Sequence, residues 1–477
     1  MIQKLLKLEK QALFLEPNEK IRSGWNKEVL EYANQFLNTV NEIKAFNEYT
    51  EEEINAITFT VPDAPADIKK ALSQLKTDID LPGLNPASGG HLGYIPGGGV
   101  FATSLGDYLA AVFNKYAGIY YAGPGVVKLE NFLIRWMCNI IGFPKTALGN
   151  LTSGGSIANL IAVATARDAK NITSKNVTKS VIYVTEQIHH SADKAIRIAG
   201  LGETIVRHIA MDKLFRMDYL NLKSAVENDK HSGLNPFLVI ASAGTTDTGA
   251  IDPLDKIVDI AKENNMWMHT DAAYGGFFIL VDSEKEKFKG IEKSDSVTID
   301  PHKGLFLSYG IGAVLIKDVN ALNQTHKYQA NYMQDKTETQ NEPSPADLSP
   351  ELTKHFRGLR MWLPLQLYGL NPFKAALEEK ILLTRYFYEE IQKIGFEVGP
   401  FPDLSVMIYR FIPKNKDVNQ FNLQIIEDVK KDGKVFLSST RINKNVWLRL
   451  ALLSFRTHKK TIDYTLNLLK KIVRENK

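Results

Sequence analysis

Between residues 150 and 318, short apolar runs alternate with stretches of helical period. The runs fall at 181–184, 237–242, 267–271, 296–300 and 312–316. Each is too short for a helix and lies between helical stretches, which reads as a strand. Between the runs, Ile157, Leu160, Ile161 and Ala164 share one helical face, and Leu254, Ile257, Val258 and Ala261 share another. Both sets follow the i, i+3, i+4, i+7 spacing of an amphipathic helix. Asp252-Pro253 predicts an N-cap and then a proline at the first helical position. Strands alternating with helices predict an α/β fold, a mostly parallel central sheet with helices on both faces. Ligands of such sheets bind at the carboxyl ends of the strands.

The flanking regions read differently. Residues 1–84 pattern as helices with charged faces, broken by Pro17, Pro62 and Pro65. They are too thin for a core of their own, so this segment is expected to pack on the rest of the protein or on a partner subunit. Residues 85–99 hold six glycines and two prolines, which excludes a regular element and predicts a shaped loop. That loop opens a large α/β domain over 85–370. Residues 337–350 are polar and proline-rich and predict a mobile loop, a lid over a site. Residues 371–477 predict a small α+β domain: helix 373–393, strand 405–412, helix 417–432, strands 435–439 and 446–453, helix 457–475.

Candidate chemistry gathers at the predicted strand ends. The run 296–300 delivers Asp300-Pro301-His302-Lys303, and the run 267–271 ends in Asp271, followed by Ala272-Ala273-Tyr274. A lysine at a strand end, held in a partly desolvated site, is a nucleophile toward aldehydes. An acid at the neighbouring strand end keeps a pyridine nitrogen protonated. Together they are what pyridoxal 5'-phosphate (PLP) requires. Ser153-Gly154-Gly155-Ser156 precedes the helical face at 157, and a small-residue turn at a helix start seats a phosphate. Gln187-Ile188-His189 and Gly244-Thr245-Thr246 end two further runs.

Composition narrows the partners. A net charge of +4 over 477 residues, with the lysines scattered, gives no basic patch for nucleic acid. The N-terminal residues are charged from the start and lack a signal-peptide core. No apolar run reaches the ~18 residues of a membrane span. The lone Cys138 excludes an intrachain disulfide and reads as a small core residue, so a cytoplasmic location is expected. No metal site is expected.

Taken in order, Ser153–Ser156, Gln187–His189, Gly244–Thr246, Asp271–Tyr274 and Asp300–Lys303, with Phe356-Arg357-Gly358-Leu359-Arg360-Met361-Trp362 and Trp447-Leu448-Arg449, resemble the group II PLP-dependent amino acid decarboxylases of fold type I. The resemblance runs from about His91 to Arg456. It implies that Lys303 holds the cofactor as a Schiff base, Asp271 pairs with the pyridine nitrogen and His189 stacks on the ring. It places Gly155, Ser156, His302 and backbone near Asp300 at the phosphate, with Thr246 and Ala273 beside the cofactor. His91, Tyr94, Pro96 and Gly97 would wall the substrate, together with the Tyr116–Tyr121 region, and Arg449 would bind its carboxylate. Glycines 97–99 would leave room for a large side chain. A homodimer with sites at the interface is implied. So is decarboxylation of an L-amino acid, an aromatic one first, to the amine and carbon dioxide. Relatives carry a loop tyrosine that residues 343–349 lack, although Tyr328 and Tyr332 lie upstream. An aldehyde synthase or a carbon–carbon lyase is therefore the alternative. Asp300 replaces a common asparagine, and its side chain is expected to turn away from the phosphate.

Overall fold

The computed structural model describes residues 1–327 and 342–475. Its centre is a seven-stranded sheet in the order Leu148–Thr152, Gly312–Ile316, Ser296–Ile299, Trp267–Asp271, Asn235–Ser242, Ser180–Val184, Ile205–His208. The pairs from Ser296–Ile299 through Ile205–His208 are parallel, and Gly312–Ile316 runs antiparallel to both its neighbours. Five of the strands match predicted runs. The other two are additional: Leu148–Thr152, and the edge strand Ile205–His208. Strands Ser180–Val184 and Gly312–Ile316 are buried along their whole length, because helices cover the sheet. Register aligns Ser242 with Asp271 and Asp271 with Thr298, so polar groups of three strands meet at one edge.

Helices Gly155–Ala169 and Leu254–Glu263 form where the periodicity places them, but the second begins differently. Pro253 is its N-cap, and no side chain caps it. Asp252 is drawn away because its carboxylate accepts the backbone N–H groups of Met217 and Ser242, each at 2.7 Å. Burial raises its pKa to about 6.

A four-stranded antiparallel sheet follows, ordered Phe396–Val398, Val406–Phe411, Asn445–Ala451, Ser438–Ile442. The strand expected at 435–439 lies instead at Ser438–Ile442, since Phe436 bridges to His91. This sheet has its own apolar cluster around Phe387, Tyr409, Leu448 and Leu469. Helix Asn371–Lys393 sends Phe373, Leu377 and Ile381 into the large core and Leu383, Phe387 and Ile391 into the smaller one. A polar tie joins the two sheets: the Tyr274 hydroxyl lies 2.7 Å from Ser405 Oγ and accepts the Ser405 N–H at 2.8 Å. Tyr274→Phe leaves that buried N–H without an acceptor. It is expected to cost about 1–3 kcal/mol in urea denaturation; an unchanged midpoint would show that Ser405 finds another partner.

Helices Ile2–Ala12 and Glu19–Thr39 bury none of their residues, leaving Leu5, Leu8, Phe14, Leu15 and Trp25 exposed. Of the loop predicted at 337–350, residues 337–341 lie outside the described residues, as do Tyr328 and Tyr332. The remainder is pinned rather than loose. Arg135 donates to both oxygens of Glu342 at 3.0 and 2.8 Å, Ser344 Oγ accepts the Tyr120 N–H, and Leu348 is fully buried. The prolines in this stretch stiffen a packed segment.

Candidate active site

Lys303 sits in the single helical turn Pro301–Gly304, directly after strand Ser296–Ile299. Proline at the first helical position sets the turn, and Lys303 N–H donates to the Asp300 carbonyl at 2.9 Å. The ammonium lies 3.2 Å from Asp300 Oδ2. Asp271, at the end of the adjacent strand, accepts the Ala273 N–H on Oδ1 at 3.1 Å and Asn159 Nδ2 on Oδ2 at 3.0 Å. His189 caps helix His190–Ile198, its Nδ1 accepting the Ser191 N–H at 3.2 Å. Burial lowers its pKa.

These groups face one cavity of about 390 Å³. It is lined by all nine residues expected to hold the cofactor: Gly155, Ser156, His189, Thr246, Asp271, Ala273, Asp300, His302 and Lys303. The start of helix Gly155–Ala169 forms one wall, and the first N–H groups of a helix have no intrahelical acceptors. Gly154, at φ 156°, takes a conformation that side-chain-bearing residues rarely adopt. His302 is turned by a short bond from Nδ1 to the Ile311 carbonyl, 2.5 Å, and burial lowers its pKa.

Asp300 packs against the start of helix Gly155–Ala169. Its carboxylate faces the helix start: a Cβ at Gly155 would lie 3.1 Å from Oδ2. Oδ1 is buried without a hydrogen-bond partner. The attraction of Lys303 at 3.2 Å, with His302 Nε2 at 3.7 Å, holds the carboxylate inward. An anion seat at a helix start, a lysine amine and a carboxylate on the neighbouring strand make a donor set that fits PLP.

His91, Tyr94, Pro96, Gly97 and Arg449 do not line this cavity. Gly97 lines a separate apolar cavity of about 590 Å³ beside the N-terminal helices; Tyr309 borders both. A side chain at Gly97 would strike the His302 carbonyl oxygen, so this glycine lets the loop approach the lysine-bearing turn. Pro96 is buried beside it. Tyr94 is exposed. Arg449 is buried and donates to the carbonyls of Thr246 and Asp247 and to Ser438 Oγ. Its guanidinium braces the turn that carries Thr246.

His91 stacks on Phe436, with ring centroids 5.4 Å apart. Burial lowers its pKa from 6.5 to about 4, so the fold keeps it neutral. The stability it contributes is full above about pH 6.5 and is lost as pH falls toward 4, about 3 kcal/mol in all. Denaturation measured across that range should lose this slope in His91→Gln; an unaltered slope would place the effect in other groups.

Residues the sequence reading passed over also contribute. Tyr309 and Gly310 line the cavity, and Asn159 reaches Asp271. Asn159 lies one turn beyond Gly155 and is buried among Ala158 and Ile161; a polar residue within an apolar helical face is the signal that marks it.

Residues 53–404 match the model of the pyridoxal-dependent decarboxylase conserved domain. An aromatic-L-amino-acid decarboxylase of Bacillus atrophaeus is 31% identical over 424 residues, spanning 88% of this chain and 87% of that protein. A phenylacetaldehyde synthase of Petunia hybrida is 28% identical over 86% of each chain. The crystal structure of Oryza sativa TDC with PLP and tryptamine superposes with a TM-score of 0.91 at 21% identity, covering 96% of this chain and 99% of that one. The chain belongs to the pyridoxal-dependent decarboxylase family, whose fold is type I and whose members act on amino acids with PLP.

Proposed function

We propose that this enzyme decarboxylates an aromatic L-amino acid to the amine and carbon dioxide. The observation that carries the reading is the convergence of Lys303, Asp271 and the start of helix Gly155–Ala169 on one cavity. Relatives acting on aromatic amino acids favour that substrate class. When bound, PLP supplies an aldehyde for the amine and a ring that accepts the electrons released with carbon dioxide. Lys303 would hold the cofactor through its amine. Asp271 would hold a proton at the ring nitrogen. His189 would pack on the ring, and Gly155 and Ser156 would seat the phosphate, helped by His302. Thr246 and Ala273 fix the edges of the site. Arg449 acts by holding the Thr246 turn in place.

The reading extends to organisation. Three units, 1–84, 85–370 and 371–477, are part of this proposal, as is a homodimer with its sites at the interface. The unburied apolar side chains of the first two helices, with Phe101, Leu105, Tyr108 and Val112 exposed on helix Phe101–Phe113, support such pairing. In a dimer, the exposed Tyr94 would have a second chain to face. A cytoplasmic location fits the single buried cysteine; no helix among the described residues is long and apolar enough to cross a membrane.

The absence of tyrosine from 343–349, with this segment pinned to Arg135, favours one second reading, an aldehyde synthase. That reaction consumes oxygen and water and releases aldehyde, ammonia and hydrogen peroxide along with carbon dioxide. Supplying tryptophan, tyrosine or phenylalanine and measuring carbon dioxide, amine and peroxide separates the two. Amine equal to carbon dioxide supports the decarboxylase; peroxide equal to carbon dioxide replaces it with the synthase.

A further inference from the structure

Behind the cavity wall lies an unbroken chain of buried hydrogen bonds. Trp267 Nε1 donates to Ser296 Oγ at 2.8 Å, and Ser296 Oγ lies 2.9 Å from His269 Nδ1. His269 Nε2 lies 3.0 Å from Asn159 Oδ1. Asn159 Nδ2 donates to Asp271 Oδ2 at 3.0 Å and to Ser191 Oγ at 2.8 Å. Ser191 Oγ lies 2.7 Å from His189 Nδ1. Trp267, His269 and Asp271 alternate along one strand and so share one face.

Two groups of fixed character set the direction of this chain. A tryptophan N–H only donates, and a carboxylate only accepts. Asp271 therefore turns the Asn159 amide so that its NH₂ faces the carboxylate and Ser191, which leaves Oδ1 toward His269. His269 must then carry its proton on Nε2. Burial lowers the pKa of His269 and favours its neutral form, so its Nδ1 accepts from Ser296. On the other branch, Ser191 Oγ accepts from Asn159 and gives its own proton to His189 Nδ1, which already accepts the Ser191 N–H. His189 thus carries its proton on Nε2, the nitrogen that Ser191 leaves free.

We propose that Asn159 is a positioning residue. It joins Asp271 and His189 into one hydrogen-bonded unit, and the buried Trp267–Ser296–His269 run behind it fixes the donor direction of that unit. The inference deepens the proposed function and rests on its assignment of Asp271 and His189 to the cofactor. A helix side chain that donates at once to the acid and, through a serine, to the histidine lets neither group rotate without breaking the other's bond.

Neutron diffraction from the deuterated full-length protein reads the directions themselves. Deuterium is expected on Nε2 of both His189 and His269 and on neither Nδ1. Deuterium on either Nδ1 overturns the proposal. Two variants test the coupling. Asn159→Asp keeps the shape but removes both donors and sets a second carboxylate against Asp271. It should weaken PLP binding and lower kcat, each by roughly 10- to 100-fold, with KM little changed. Ser191→Ala cuts only the branch to His189; kcat should fall about tenfold with the PLP Kd unchanged. Equal PLP Kd in folded Asn159→Asp and in the parent overturns the proposal. Should Asn159→Asp fail to fold, the neutron map and Ser191→Ala still decide: normal kcat in Ser191→Ala counts against the unit. Asp271→Asn tells the two levels apart. If it loses turnover and Asn159→Asp does not, the inference fails alone. If neither loses turnover, the assignment of Asp271 fails with it.

Discussion

Lys303→Ala is expected to abolish turnover while leaving the fold intact. The lysine occupies a one-turn helix at the edge of the cavity, and its side chain keeps 21% of its surface exposed. It lines the cavity, and its amine is the group the chemistry needs. Removing it strands Asp300, whose Oδ1 is already unpartnered, but no core contact is lost. Turnover should fall by at least on the order of 10³-fold, as expected when the covalent nucleophile is removed. Circular dichroism should stay close to that of the parent, and the thermal midpoint should fall only by the cost of leaving Asp300 without its cation. Activity within tenfold of the parent would show that the amine at 303 is not the one that holds the aldehyde.

Asp271→Asn is the second large effect. Both oxygens of Asp271 accept N–H donors, from Ala273 and Asn159. An asparagine there must turn its own NH₂ toward one of those donors, so a bond is lost along with the charge. A neutral amide also cannot stabilise a protonated ring nitrogen. We expect kcat to fall on the order of 10²- to 10³-fold, with cofactor retention falling far less, because Lys303 and the helix start still hold it. The split between kcat and PLP affinity is the signature; near-normal turnover would mean that another acid serves the ring.

How much of this was legible in the chain depended on the range of the contact involved. The strands at 181–184 and 312–316 are continuous apolar runs and announce themselves. Strand Leu148–Thr152 contains Gly149 and Asn150, which break the run, and the Asn150 side chain is satisfied only by distant partners, the Pro345 carbonyl and Lys354. Ile205–His208 is an edge strand and mostly exposed, so no apolar run marks it. Lys303 and Asp271 were readable because a parallel sheet brings consecutive strand ends together whatever the loops do; the other seven cavity residues came from the resemblance of their motifs. The packing of His91, Gly97 and Arg449 was not legible, because their neighbours, Phe436, His302 and the Thr246 turn, lie far away in sequence. Asn159 escaped for the same reason: its partners, Asp271 and His269, lie more than a hundred residues away.

The most direct test of the central claim, that one lysine at this strand end carries the cofactor, is chemical. The purified protein loaded with PLP is reduced with borohydride, digested and mapped by mass spectrometry. The phosphopyridoxyl mass should lie on Lys303 alone. The same mass on any other lysine, or on none, would contradict the account.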